Sequence, residues 1–100
     1  TTSSLEELIT LILKTLGLIT FFTANKNEAR SNLAPQGISA WEAAGKVHSD
    51  FQEKFIRAEV ISYEDLIKVG SPVQARKLGL IHTEGRGYSV QNGDIIEFKI

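Results

Sequence analysis

The 100-residue chain contains no cysteine, no methionine, two prolines and a single tryptophan. Without cysteine there is neither a disulfide framework nor a thiolate metal site, which suits a reducing compartment, and a cytoplasmic location is expected. No apolar run approaches the roughly 20 residues needed to cross a bilayer, so no membrane partner is expected. A net charge of -1 argues against a whole-domain electrostatic grip on nucleic acid and leaves room only for a local basic patch. Methionine is missing at position 1 as well, where Thr1 stands, so the chain is expected to be a piece of a longer protein. Its first apolar run follows Glu6 and Glu7 without a basic leader, which does not fit a targeting segment.

What is present belongs to an ordinary folded domain. Apolar residues make up 42% and charged residues 23%, both near globular averages, and one hundred residues suffice for one domain with a real core. Ser39 to Phe51 reads as a single helix. Ser39 and Glu42 have the spacing of a reciprocal capping box, and Ala40, Ala44, Val47 and Phe51 recur on one face. Leu5, Leu8, Ile9, Ile12, Leu13 and Leu16 predict a first helix of about three turns, N-capped by Ser3 or Ser4 and ended by Gly17, a packing helix rather than a membrane-surface one, which in this chain either folds onto the core or exposes its apolar face. In a complete parent this helix is expected to lie against a preceding domain.

Leu18 to Ala24 and Ala29 to Ala34 read as a hairpin turned by Asn25-Lys26-Asn27. After the main helix, Ile56, Ala58 and Val60 alternate with Arg57 and Glu59, the pattern of a strand with one buried face. Ser62 with Asp65 caps a short helix that Gly70 ends, and Ser71-Pro72 opens another that stops at Gly79. Leu80 to Thr83, Tyr88 to Val90 and Ile95 to Ile100 read as three more strands. Gly85-Arg86-Gly87 and Gln91-Asn92-Gly93-Asp94 read as the turns between them, the first using glycine for positive φ. This order predicts an α+β fold: a β-grasp mixed sheet packed on one main helix, with an extra amphipathic helix in front.

Four stretches carry a resemblance to a known family: Leu16 to Thr23 (LGLITFFT), Ala43 to Phe51 (AAGKVHSDF), Phe55 to Val60 (FIRAEV) and Tyr88 to Ile95 (YSVQNGDI). Together they resemble the C-terminal, ubiquitin-like TGS domain of the YchF or Obg-like ATPases. The resemblance implies a β-grasp domain over residues 17–100, with residues 1–16 as a helix linking it to an upstream P-loop nucleotide-binding domain. It implies ATP or GTP with Mg in that parent domain and none in this chain, and the ribosome or RNA and the parent domain as partners. Two positions depart from the family pattern, which has Trp-Thr where this chain has Asn32-Leu33, and proline where it has Trp41.

The chain holds no G-x-x-x-x-G-K-[ST] run to cradle phosphates. His48 and Asp50 are two apart on the expected helix and point in different directions, so no metal or catalytic role is assigned to them. No catalytic residues are expected. Lys46, Lys54 and Arg57, with Lys26 and Arg30 on the first hairpin, are the candidate nucleic-acid contacts, because lysine and arginine supply most sequence-independent affinity for phosphates. Gly45, costly inside a helix, is expected to mark close approach to the sheet, with an RNA backbone contact as the sharper reading. Trp41 is expected to pack. Two other classes compete with an RNA-contacting module: a β-grasp carrier, which works through a mobile C-terminal Gly-Gly, and a purely intramolecular regulatory or dimerisation domain. Residues 95 to 100 read as strand, which disfavours the carrier.

Overall fold

The computed structural model describes residues 2–24 and 29–100, so the turn expected at Asn25-Lys26-Asn27 lies outside the described residues. Helix α1 (Thr2–Thr15) precedes strands β1 (Leu18–Ala24) and β2 (Ala29–Pro35). Helices α2 (Ala40–Val47) and α3 (Ser49–Glu53) follow, then β3 (Arg57–Ser62), α4 (Tyr63–Val69), α5 (Pro72–Lys77), β4 (His82–Glu84) and β5 (Asp94–Lys99). The five strands form one sheet in the order β2-β1-β5-β3-β4. Only β1 and β5 run parallel; the other pairs are antiparallel. This is the expected β-grasp-like α+β arrangement, with the last strand in sequence at the centre of the sheet.

Strand alternation sends Ile19 and Phe21 of β1, Ala34 of β2, Ala58 and Val60 of β3, and Ile96 and Phe98 of β5 to one face. Ala40, Ala43 and Ala44 of α2 pack there, and alanine lets the helix axis approach closely. Ile38, Phe55 and Val90 complete the buried cluster, with Val47, Phe51 and Tyr88 against its margin. The expected capping box is present: Glu42 N–H donates to Ser39 Oγ at 3.1 Å, and Glu42 Oε1 accepts from Ser39 N–H at 3.3 Å.

Three expected elements come out differently. Tyr88 to Val90 is not a strand of the sheet; it pairs with the entry to α2. Ala40 N–H donates to Tyr88 O (2.8 Å), Val90 N–H donates to Ile38 O (2.9 Å), and Ser39 opposes Ser89 in an isolated bridge. These backbone groups are therefore spent on holding the helix start rather than on a ladder. Neither Gly85 nor Gly87 takes a positive φ, so the turn there uses glycine for no left-handed conformation. The Gln91–Asp94 turn closes with Asp94 N–H on Gln91 O at 3.0 Å, with φ +86° at Gly93 and no positive φ at Asn92. That is a type II geometry rather than the type I′ of a tight hairpin.

Helix α1 also departs from expectation. Ser3 and Ser4 lie inside it, since it begins at Thr2. Of the two outcomes expected for its apolar face, exposure is the one found: Leu5, Leu8, Ile9, Leu11 and Ile12, with Leu16 just beyond its end, are 48–64% exposed. Gly17, at φ +72°, turns the chain into β1, and its carbonyl accepts from Gln36 N–H at 2.8 Å. Helices α4 and α5 follow the expected caps, with Ser62 accepting from Asp65 N–H, Ser71 from Gln74 N–H, and Gly70 left-handed at φ +82°. Ile56, expected on the buried face, is 63% exposed just before β3, whereas Ala58 and Val60 are buried as expected and Ile61 is buried as well.

The loop before β5 is tied down by a buried carboxylate. Asp94, 5% exposed, accepts from the Tyr88 hydroxyl at 2.6 Å and from Gln91 N–H at 2.9 Å, both through Oδ2. Burial, with the hydrogen bond to Asp94 and its charge adding, pushes the Tyr88 phenol well above its ordinary range. A phenol whose folded pKa is raised stabilises the fold fully below the unfolded value and less as pH rises beyond it. Tyr88→Phe is expected to cost about 1–3 kcal/mol in denaturant melts at neutral pH, because it leaves Asp94 short of one donor. The gap between the two proteins should narrow above about pH 10 if the phenol is the group responsible.

Asn32 sits opposite Phe21 on the inward face of β2, and among the described residues its buried Nδ2 has no hydrogen-bond partner. An orphaned buried amide costs about 1–3 kcal/mol, and a β-branched residue suits a strand. Asn32→Val should therefore raise the melting temperature; a lower one would show that the amide is satisfied.

Candidate nucleic-acid interface

The helix expected over Ser39–Phe51 is broken at His48. This residue is extended, at φ -165° and ψ 139°, and caps two helices at once. Its N–H donates to Ala44 O at 3.0 Å, closing α2, and its Nδ1 accepts from Asp50 N–H at 3.0 Å, opening α3. An Nδ1 that accepts carries no proton, so the neutral ring holds its hydrogen on Nε2. The break brings His48 and Asp50 together, with Asp50 Oδ2 3.9 Å from Nδ1, where a continuous helix would have pointed them apart. Among the described residues no three His, Cys, Asp or Glu side chains gather in a way that could hold a metal.

Turning the chain at His48 folds α3 back beside α2. Trp41 Nε1–H donates to Gln52 O at 3.1 Å and ties the two helices together, its ring still 40% exposed. Trp41, expected to pack, is instead exposed and joins no part of the buried cluster; its indole N–H is what anchors it. Gly45 lies beneath the Gln52 side chain: a Cβ there would stand 2.7–2.9 Å from the carboxamide carbon, nitrogen and oxygen. The atoms closest to that position belong to α3, which corrects the expectation that glycine allows close approach to the sheet. Gln52 carries no motif of its own, and the signal that pointed toward it was the unfavourable glycine at Gly45.

The candidate cations are divided by this geometry. Lys46 is exposed on α2, at a cleft of about 490 Å³ that it shares with Pro35, Gly37, Glu42, Gly45 and Gln52. Arg30, on the helix side of β2, lines a second cleft of about 290 Å³ with Val47, His48 and Phe51. Lys54 ends α3 as its C-cap. Arg57 opens β3 opposite Lys99, and strand alternation sends it to the sheet face away from α2. Lys99 turns to Glu97 at 3.0 Å, and Arg76 to Glu59 at 3.4 Å. Among the described residues Lys46, Lys54 and Arg57 make no ion pair. Lys26 lies outside the described residues. The candidate cations are thus not gathered at one place: Lys46 and Arg30 line two separate clefts, and Arg57 lies on the opposite face of the sheet.

Residues 18–100 match the family model YchF-GTPase_C, which is described as a protein of unknown function (DUF933). The chain belongs to this family. It is 44% identical over 97 residues to the ribosome-binding ATPase YchF of Bacillus subtilis, covering 97% of this chain and 26% of that protein. It is 42% identical over 99 residues to Obg-like ATPase 1 of Gallus gallus, covering 99% of this chain and 25% of that protein. The solved structure of the Schizosaccharomyces pombe YchF GTPase superposes with a TM-score of 0.83 at 33% identity, over 93% of this chain and 25% of that one. The chain therefore spans about a quarter of the length of the relatives it matches, and those relatives are nucleotide hydrolases by name. Among the described residues no helix is long and apolar enough to cross a membrane.

The His48 cap is directly testable. His48→Ala should lower stability by about 0.5–2 kcal/mol, as lost N-caps do, while His48→Asn, whose side chain can also accept from the N2 or N3 amide, should recover most of it. Equal losses for both would assign the cost to the ring's contact with Phe51, whose centroid lies 5.8 Å away, rather than to the cap.

Proposed function

We propose that this chain is the non-catalytic, TGS-like C-terminal module of a YchF-type ATP- or GTP-binding protein, and that it contacts the ribosome through RNA. The family match and the names of the YchF relatives support the ribosome as partner. The observation that carries the RNA contact is Lys46. It stands exposed at an open cleft, without an ion-pair partner among the described residues, beside a helical glycine. In this reading Arg30 and Lys26 extend the contact and Lys54 holds a phosphate further along the backbone, while Arg57, on the opposite face of the sheet, is reached only by RNA that passes round the edge of the domain.

Residues 17–100 are then the contacting module and residues 1–16 its link to an upstream nucleotide-binding domain that holds ATP or GTP with Mg. The exposed leucine and isoleucine side chains of α1 support a second contact, with that parent domain, since an apolar patch of this kind marks an interaction site. The same side chains favour one other reading, an intramolecular regulatory or dimerisation surface. Sedimentation of the chain with Leu8→Glu and Ile12→Glu separates self-association from a monomer that uses α1 for another partner.

Binding of the chain to ribosomes or ribosomal RNA should weaken steeply with salt, because each neutralised phosphate releases a counterion. Reversing Lys46, Lys54 and Arg57 together to glutamate should lower affinity at least tenfold and flatten the log–log salt slope by about 2 to 3. Binding that ignores both salt and the triple reversal would exclude a phosphate-tracking contact.

A further inference from the structure

The pairing of Gly45 with Gln52 breaks a local rule, and what it accommodates is a single side chain of α3. Glycine is a poor helix former, and nothing in the backbone requires it here: Gly45 is absent from the residues with positive φ, and the atoms a Cβ would meet are the tip of one flexible side chain. Alanine at this position would favour the helix and merely displace the Gln52 carboxamide. A feature that sacrifices stability to keep one polar group in place marks a functional position. The carboxamide itself makes no hydrogen bond among the described residues, although the main chain of Gln52 is fixed by the Trp41 indole. It opens, with Lys46, onto the open cleft of about 490 Å³. Glu42, the other charged group of the cleft, already uses Oε1 on the Ser39 amide and hydroxyl.

We propose that this cleft is a binding site for one unpaired nucleotide of RNA, its base edge held by the Gln52 carboxamide and its phosphate by Lys46. A carboxamide offers a donor and an acceptor side by side, which matches the adjoining donor and acceptor on the pairing edge of a base. In a duplex that edge is occupied, so the site selects single-stranded or bulged RNA, where bases are free to splay out. The bare surface of Gly45 keeps the carboxamide flat against α2 and the cleft open. This inference rests on the RNA contact proposed above and adds to it the strand state recognised and the residues that read it.

The experiment titrates the whole chain with a single-stranded RNA octamer of mixed sequence and with the same octamer annealed to its complement. Trp41, the single tryptophan, reports through its fluorescence because it is bonded to Gln52. The single strand should shift the emission and bind at least fivefold more tightly than the duplex. Gly45→Ala and Gln52→Ala should each weaken the single strand at least fivefold, with the melting temperature unchanged or raised for Gly45→Ala. If both variants bind like the parent while the triple charge reversal abolishes binding, the nucleotide site is wrong and the phosphate contact stands. If no RNA binds the unaltered chain, both the nucleotide site and the RNA contact fail. Equal affinity for single strand and duplex also overturns the site.

Discussion

The sheet depends on the insertion of β5 between β1 and β3. β5 is the last strand in sequence, yet Ile96, wholly buried, stands opposite Thr23 of β1 and Val60 of β3 at once. Until it arrives the two halves of the sheet share no ladder, and the alanine face of α2 has nothing continuous to cover. The residues just ahead of it set its entry. Asn92 Oδ1 accepts from Thr20 N–H at 2.9 Å, and Gly93 N–H donates to Thr20 O at 2.8 Å, so the turn docks on β1 before the strand begins. The buried Asp94 then holds the preceding loop through Tyr88 and Gln91.

The same loop reaches the helical layer. Tyr88 and Arg86 carbonyls accept from Ala40 and Trp41 N–H at 2.8 and 3.2 Å, satisfying two of the free donors that every helix start leaves. One segment therefore fixes both the central strand and the start of α2. At the other end of α2, His48 stops the helix and reverses it, placing Gln52 over Gly45 and beside Lys46. The candidate cleft runs along α2 between the two ends, from Pro35, Gly37 and Glu42 at the entry to Lys46 and Gln52 near the break.

Much of this was legible in the residues. The capping box of α2, the serine N-caps and glycine stops of α4 and α5, the alternation of β1 and β3, and the family stretches are local signals, and each reports on groups within a few positions of itself. The break at His48 was not legible. Ala40, Ala44, Val47 and Phe51 keep helical spacing across it, and all four do meet the core, so the periodicity was satisfied by two short helices as well as by one long helix. Whether α1 would be covered or exposed stayed open for a related reason: an amphipathic pattern announces an apolar face without saying what covers it.

The amino-acid order by itself determined the element types, the caps and the α+β class, because propensity, capping and alternation act over a turn or a strand. Tertiary structure alone decided that Tyr88 to Val90 serves the helix start instead of the sheet, that His48 and Asp50 meet, and that the basic residues fall on two faces. Each of these depends on which backbone donors find partners far along the chain, and a hydrogen bond between residues 40 and 88 leaves no mark on the sequence around either.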